Sequence, residues 1–155
     1  MSKEIERKFL IDAKNLPSLS DGHIIKQGYV PTQGVTVRVR VRDEEAFLTL
    51  KGKVTGISRS EFEYSIPVKD AKHMLDELCV HPIIEKTRYL ISYKGNIWEL
   101  DVFEGYNKGL IVAEIELESE DESFEKPKWA TQEVSYDKKY RNSNLISNPY
   151  CMWSR

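Results

Sequence analysis

The 155-residue chain is defined first by what it has little of. It contains only two cysteines, Cys79 and Cys151, with no CxxC or other metal-ligand spacing. Neither a disulfide framework nor a zinc site is expected, and both read as free thiols in a reducing compartment. The histidines, His23, His73 and His81, form no HxH or HExxH pair and read as structural or surface residues. No apolar run approaches the roughly 18–20 residues that span a bilayer. The opening, Met-Ser-Lys-Glu-Ile-Glu-Arg-Lys, lacks the apolar core of a secretory signal, which predicts a cytoplasmic protein. Excess charge is missing too: 23 Lys and Arg against 25 Asp and Glu leave a formal net charge of −2. A broad basic surface for nucleic acid is thereby excluded. The length suits a single domain, residues 1–155, with room for a real core.

What is present is a period of two. Residues 35–42 read Val-Thr-Val-Arg-Val-Arg-Val-Arg, an apolar face opposite a basic one. Glu4, Glu6 and Lys8 alternate with Ile5, Arg7 and Phe9, and the pattern recurs near 46–51, 59–66, 85–89, 98–103 and 113–118. With a further strand at 23–30, this predicts about eight strands. Turns are expected at Gly34, Lys94-Gly95-Asn96 and Gly105-Tyr106-Asn107.

Two stretches break the period. Ala71, Met74, Leu75, Leu78 and Cys79 fall at helical spacing, which predicts an amphipathic helix over 70–79, entered after Pro67 with Asp70 as cap. From about 129 onward the mixed pattern predicts short helical segments packed on the sheet. Residues 119–128, acidic and containing Pro127, read as an exposed connection.

A half-buried antiparallel strand normally shows water a charged face. Here the faces are sorted by sign. Arg38, Arg40 and Arg42 form a basic row; Glu114, Glu116 and Glu118 form an acidic one. Side chains two apart on a strand face lie roughly 6.5–7 Å apart, so like charges repel unless counter-charges meet them. Curling about eight strands into a barrel solves this, with charged faces converging on a lumen and apolar faces turned out under helices. Arg42 and Glu118 extend their rows toward the rim, and Glu99 fits lumen or ion pair equally. Such a lumen gathers cations suited to phosphates and carboxylates suited to a hard cation such as Mg²⁺ or Mn²⁺. Together they are the components of metal-assisted phosphoryl chemistry.

The same residues carry a resemblance. Glu4-Ile-Glu6-Arg-Lys8 resembles the ExExK opening of the CYTH domains, the triphosphate tunnel metalloenzymes. Arg38-Val-Arg40, Thr-Leu-Lys51, Arg59 with Glu61-Phe-Glu63, Lys86-Thr-Arg88, Glu-Leu-Asp101 and Glu114-Ile-Glu116 follow in order, then the tail Glu133-Val-Ser-Tyr-Asp137-Lys-Lys-Tyr140-Arg-Asn142. The resemblance implies a mainly β (α+β) fold, an eight-stranded antiparallel barrel around a tunnel with a few covering helices. It implies that Glu4, Glu6, Glu114 and Glu116 hold the catalytic metal, with Asp101 close by. Arg38, Arg40, Lys51, Arg59, Lys86 and Arg88 would bind a triphosphate. Lys138, or its neighbour Lys139, would reach a terminal phosphate. Lys8 would position the attacking water or the scissile phosphate, and Glu61 and Glu63 would bind a second metal or orient water.

The expected activity is divalent-metal-dependent hydrolysis of a small-molecule triphosphate, with inorganic tripolyphosphate favoured because the motifs leave little chain for another recognition pocket. Thiamine triphosphate or a nucleoside triphosphate are the alternatives within that reaction. The family also contains adenylate cyclases, a second reading, and a non-enzymatic polyphosphate- or nucleotide-binding module is a third. Both acidic pairs speak against the third, because carboxylates hinder simple anion binding. No nucleic-acid or membrane partner is expected, and a homodimer is compatible with the sequence.

Overall fold

The computed structural model describes residues 3–154. Its strands are β1 (Lys3–Ile11), β2 (His23–Val30), β3 (Thr36–Arg42), β4 (Glu45–Lys51), β5 (Ser58–Ile66), β6 (Ile84–Tyr93), β7 (Asn96–Phe103), β8 (Ile111–Glu116) and β9 (Ala130–Glu133). Two α-helices join them, α1 (Val68–Glu77) and α2 (Asn144–Ser147). Strands β1 to β8 close into an antiparallel barrel in the order β1-β5-β4-β3-β2-β6-β7-β8, with β8 returning to β1. This is the eight-stranded barrel that the alternation predicts. The ninth strand is extra: β9 adds to β1 beside Phe9 and Ile11. Its short, polar Ala-Thr-Gln-Glu sequence has no alternation from which to read a strand.

Strand β1 bridges the barrel seam. Its first residues pair with β5 (Ile5 opposite Ser58) and its later ones with β8 (Glu6 opposite Glu116). Because side chains alternate with period two, a slip of one residue would turn every lumen charge outward. Tight hairpins help fix the register. Lys94 and Gly95, at φ 49° and 84°, make the two-residue β6–β7 turn expected there. The β3–β4 turn has no glycine; Asp43 takes φ 54°, and its carboxylate accepts from Ile24 N at 2.9 Å. Gly105–Asn107 is a single 3₁₀ turn rather than a two-residue hairpin.

The outward faces are covered in two places. On one side Trp98 meets Phe9, Phe124 and Trp129 edge to face at 5.5, 5.8 and 5.5 Å. The 119–128 connection is therefore not simply exposed: it is irregular, yet it sets Phe124 on Trp98 and buries Pro127. On the other side Ala71 and Leu75 of α1 pack on Val39, Val41 and Ala46. The helix begins two residues earlier than the spacing predicts, and Pro67 takes the N-cap position without a side-chain bond. Asp70 sits in the first turn, where its charge favours the helix dipole without capping it.

One end of the barrel interior is apolar. Leu10, Ile84, Phe103 and Val112 meet Leu145 and Ile146 of α2, so the C-terminal segment plugs that end. The short helical segments predicted beyond 129 thus pack into the barrel mouth as well as against its wall.

Candidate active site

Beyond the plug the inward faces change to charge and surround a cavity of about 240 Å³. Strand β1 sends in Glu4, Glu6 and Lys8; β3 sends Arg38 and Arg40; β4 sends Lys51; β5 sends Arg59, Glu61 and Glu63. Lys86 and Arg88 come from β6, and Glu114 and Glu116 from β8. Two residues singled out from the sequence do not line it. Asp101 points inward but is fully buried beneath Lys86 and Arg88, and Lys138 is exposed on a 3₁₀ turn.

The registers sort the signs. Glu6 lies opposite Glu116, and Glu114 lies between Lys8 and Glu99, so β1, β7 and β8 make an acidic wall. Its carboxyls are far from ordinary. Burial, reinforced by Glu114 and Glu4, pushes Glu6 well above the usual carboxylate range. Burial also opposes ionisation of Glu114, but Lys8 and a hydrogen bond from Glu6 outweigh it and hold Glu114 well below that range. The same asymmetry recurs at the β1–β5 seam. Burial and a hydrogen bond with Glu4 raise Glu61 to about 7. Glu4 is buried too, yet Lys51 Nζ, at 3.1 and 2.9 Å from its two oxygens, keeps it low. Each pair thus sets a raised carboxyl beside a lowered one.

On the basic wall Asp101 is the buried counter-ion. It accepts from Lys86 Nζ at 2.7 Å and from Arg88 at 2.8 and 3.0 Å. Burial works against its charge, but Lys86 and Arg88 hold it down to about 2. Those bonds engage both of its oxygens with Lys86 and Arg88. Arg38 approaches Glu63 at 3.4 Å, while its buried Nε has no hydrogen-bond partner. Arg40 donates to Gln27 at 2.7 Å; burial, with Arg38 and Arg88 nearby, lowers it to about 9, still charged at neutral pH. Lys8 is held between Glu114 at 3.4 Å and the carbonyl of Tyr140 at 3.0 Å.

The sequence of the CYTH domain family matches residues 2–146. The chain belongs to the CYTH domain family. It is 48% identical to the inorganic triphosphatase of Acetivibrio thermocellus over 97% of either chain. It is 38% identical to the inorganic triphosphatase of Nitrosomonas europaea, over 92% of this chain and 95% of that one. A crystal structure of an inorganic triphosphatase superposes with a TM-score of 0.67 at 36% identity, covering 94% of this chain and 95% of its own.

Membership of the CYTH family implies a divalent metal, and the donors here fit one in chemistry. The acidic wall offers hard carboxylate oxygens, and Glu61 Oε2, buried without a well-formed hydrogen bond, has Lys51 Nζ at 3.3 Å as its ion-pair neighbour. A finished cage is absent: among the described residues no three carboxylates, histidines or cysteines converge on one point.

Several lining residues escaped the sequence reading. Gln27 and Tyr29 lie opposite Arg40 and Arg38 on β2, but as neutral residues they left no charge pattern to follow. Arg141 and Asn142 enter with the C-terminal plug, within the tail motif but on no strand face. Asn142 Oδ1 accepts from Lys86 at 2.8 Å and Gln27 at 3.1 Å. Arg42 and Glu99 also line the cavity, whereas Glu118 lies past the end of β8 in solvent.

Proposed function

We propose that this CYTH protein is a divalent-metal-dependent inorganic triphosphatase that hydrolyses a phosphoanhydride bond of tripolyphosphate inside its barrel. The observation that carries it is the sorting of the lumen, with arginines and lysines facing a carboxylate wall across one cavity. Relatives named inorganic triphosphatases, matching nearly end to end, support the same reading. The lining suits a bare phosphate chain. Tyr29 is its one aromatic residue, and its hydroxyl accepts from Gln27 at 3.0 Å, so no stacking platform for a base is laid out.

In this reading Glu4, Glu6, Glu114 and Glu116 hold Mg²⁺ or Mn²⁺, which when bound polarises phosphoryl oxygens and acidifies water. Arg38, Arg40, Lys51, Arg59, Lys86 and Arg88 bind and orient the phosphates and absorb the charge that develops on the leaving group. Lys8, fixed by Glu114 and Tyr140, positions the scissile phosphate or the attacking water. Glu61 and Glu63 orient water, and the raised pKa of Glu61 suits a group that takes up its proton. Asp101 aims Lys86 and Arg88 and keeps Arg88 charged, while burial lowers Lys86 to about 7. We further propose that residues 1–155 act as one cytoplasmic domain, without nucleic-acid or membrane partners and with a homodimer as its candidate assembly. No helix of the described residues is long and apolar enough to cross a membrane.

The test is product analysis with tripolyphosphate, thiamine triphosphate and ATP, each with Mg²⁺ or Mn²⁺. Orthophosphate released fastest from tripolyphosphate is the expected result. Cyclic AMP with pyrophosphate from ATP would move the assignment to a cyclase, and binding without turnover under either metal would sink both enzyme readings.

A further inference from the structure

The cations of the lumen divide into two groups. Lys8, Arg38, Lys51, Lys86 and Arg88 each have a carboxylate within 4.0 Å. Among the described residues that line the charged interior, Arg40, Arg59 and Arg141 have none. Arg40 and Arg59 at least donate to neutral oxygens, on Gln27, Gly52 and Thr36. Among the described residues the Arg141 side chain has no hydrogen-bond or ion-pair partner, although the segment bearing it is firmly seated.

That seating is specific. Arg141 N donates to the Lys138 carbonyl at 3.1 Å, and its own carbonyl accepts from Leu145 N at 3.0 Å. Asn142 is tied to Lys86 and Gln27, and Leu145 is wholly buried in the barrel end. A long cation on a rigid base, half-buried and unpaired, is costly unless an anion meets it. Its position says which anion. A smaller cavity lies beside the lumen between β1 and the β4–β5 loop, and Arg141 lines both spaces together with Glu4, Glu6, Lys8 and Arg59. Arg59 and Arg141 are close enough to repel, and the repulsion helps burial lower Arg59. Asp137 borders the smaller cavity but makes no ion pair with Arg141.

We propose that Arg141 is a substrate-contacting residue, whose guanidinium binds the end of the tripolyphosphate chain nearest Glu4, Glu6 and Lys8. It deepens the triphosphatase reading and rests on it. A phosphate there bridges Arg59 and Arg141, turning a repulsion into two charge-assisted contacts. Lys138 then has no such role: it is solvent-exposed, and its part in the site is to accept Arg141 N through its carbonyl.

The experiment compares wild type with Arg141→Gln, Arg141→Lys and Lys138→Ala. Tripolyphosphate binding is measured by calorimetry in EDTA, turnover with Mg²⁺, and ligand-free melting for each variant. Arg141→Gln should weaken metal-free binding about 10- to 100-fold, the scale of one lost charged hydrogen bond, with melting unchanged. Arg141→Lys should recover most of the loss, and Lys138→Ala should stay within about twofold of wild type. Binding by Arg141→Gln within about twofold of wild type would overturn the proposal. So would an equal loss in Lys138→Ala, or equal losses in both Arg141 variants with both melting low, which would mark a structural role. A wild type that binds tripolyphosphate but hydrolyses no triphosphate would sink the triphosphatase reading instead, and the binding comparison would still decide the role of Arg141.

Discussion

Two neighbouring layers of one barrel interior solve opposite problems. On β6, Ile84 faces inward and packs in the cluster that α2 seals, while Lys86, two residues on and on the same face, lies among charges. The apolar layer is stable once covered, and Leu145 and Ile146 cover it. The charged layer has no cover and is stabilised by pairing: Asp101 for Lys86 and Arg88, Glu4 for Lys51, Glu114 for Lys8. Packing tolerates a neighbour of similar shape; a buried charge tolerates only its opposite. The plug therefore acts on both layers, with Leu145 sealing one and Asn142 and Arg141 reaching into the other.

That contrast can be broken from either side. The largest effect belongs to the acidic wall: Glu6→Gln or Glu116→Gln should abolish turnover by loss of metal, measured as orthophosphate release. Full activity in both variants would refute the metal assignment. Next comes Asp101→Asn, which strands two buried cations and should cost about 3–5 kcal/mol in urea denaturation. The packed layer should be the more forgiving: Leu145→Ala removes buried methyls and should cost about 2–5 kcal/mol, with the metal-free tripolyphosphate affinity of the folded fraction less affected than in Arg141→Gln. Arg40→Ala, which leaves Gln27 with its other bonds, should mainly raise KM, by about 10- to 100-fold, with kcat less changed.

The smallest effect is one of pH. The Glu61 carboxyl is raised from 4.5 to about 7, so the folded protein keeps a proton that the unfolded chain has already released. Its stabilisation is full below about 4.5, is lost as pH rises toward 7, and changes no further above that. Melting of the metal-free protein should show this slope between those limits, and Glu61→Gln should reduce it, the remainder belonging to Glu6 and Glu116, which are raised as well. An identical slope in the variant would assign the titration elsewhere.

Period-two reading exposed the barrel because seven of its eight strands bear sorted charges, and it found the lumen because like charges in rows demand partners. It failed where sequence carries no period. Gln27 and Tyr29 are neutral, β9 is short and polar, and Arg141 lies on a segment placed by the barrel end rather than by its own pattern. Asp101 shows a different limit. Its alternation on β7 puts it inward correctly, but whether an inward carboxylate meets water or two cations depends on the neighbouring strand, where Lys86 and Arg88 stand.

Strand β1 has three partners, β5, β8 and β9, and this has a consequence in time. Lys8 N donates to Ser135 Oγ, 127 positions later, at 3.0 Å. During synthesis β1 must therefore wait for a segment 127 positions later before its edges are covered. Until then Glu4, Glu6 and Lys8 are bathed in water, where charges are cheapest to hold. Closure of so non-local a seam is the slow event in such a topology, and the desolvation of the lumen is deferred to it.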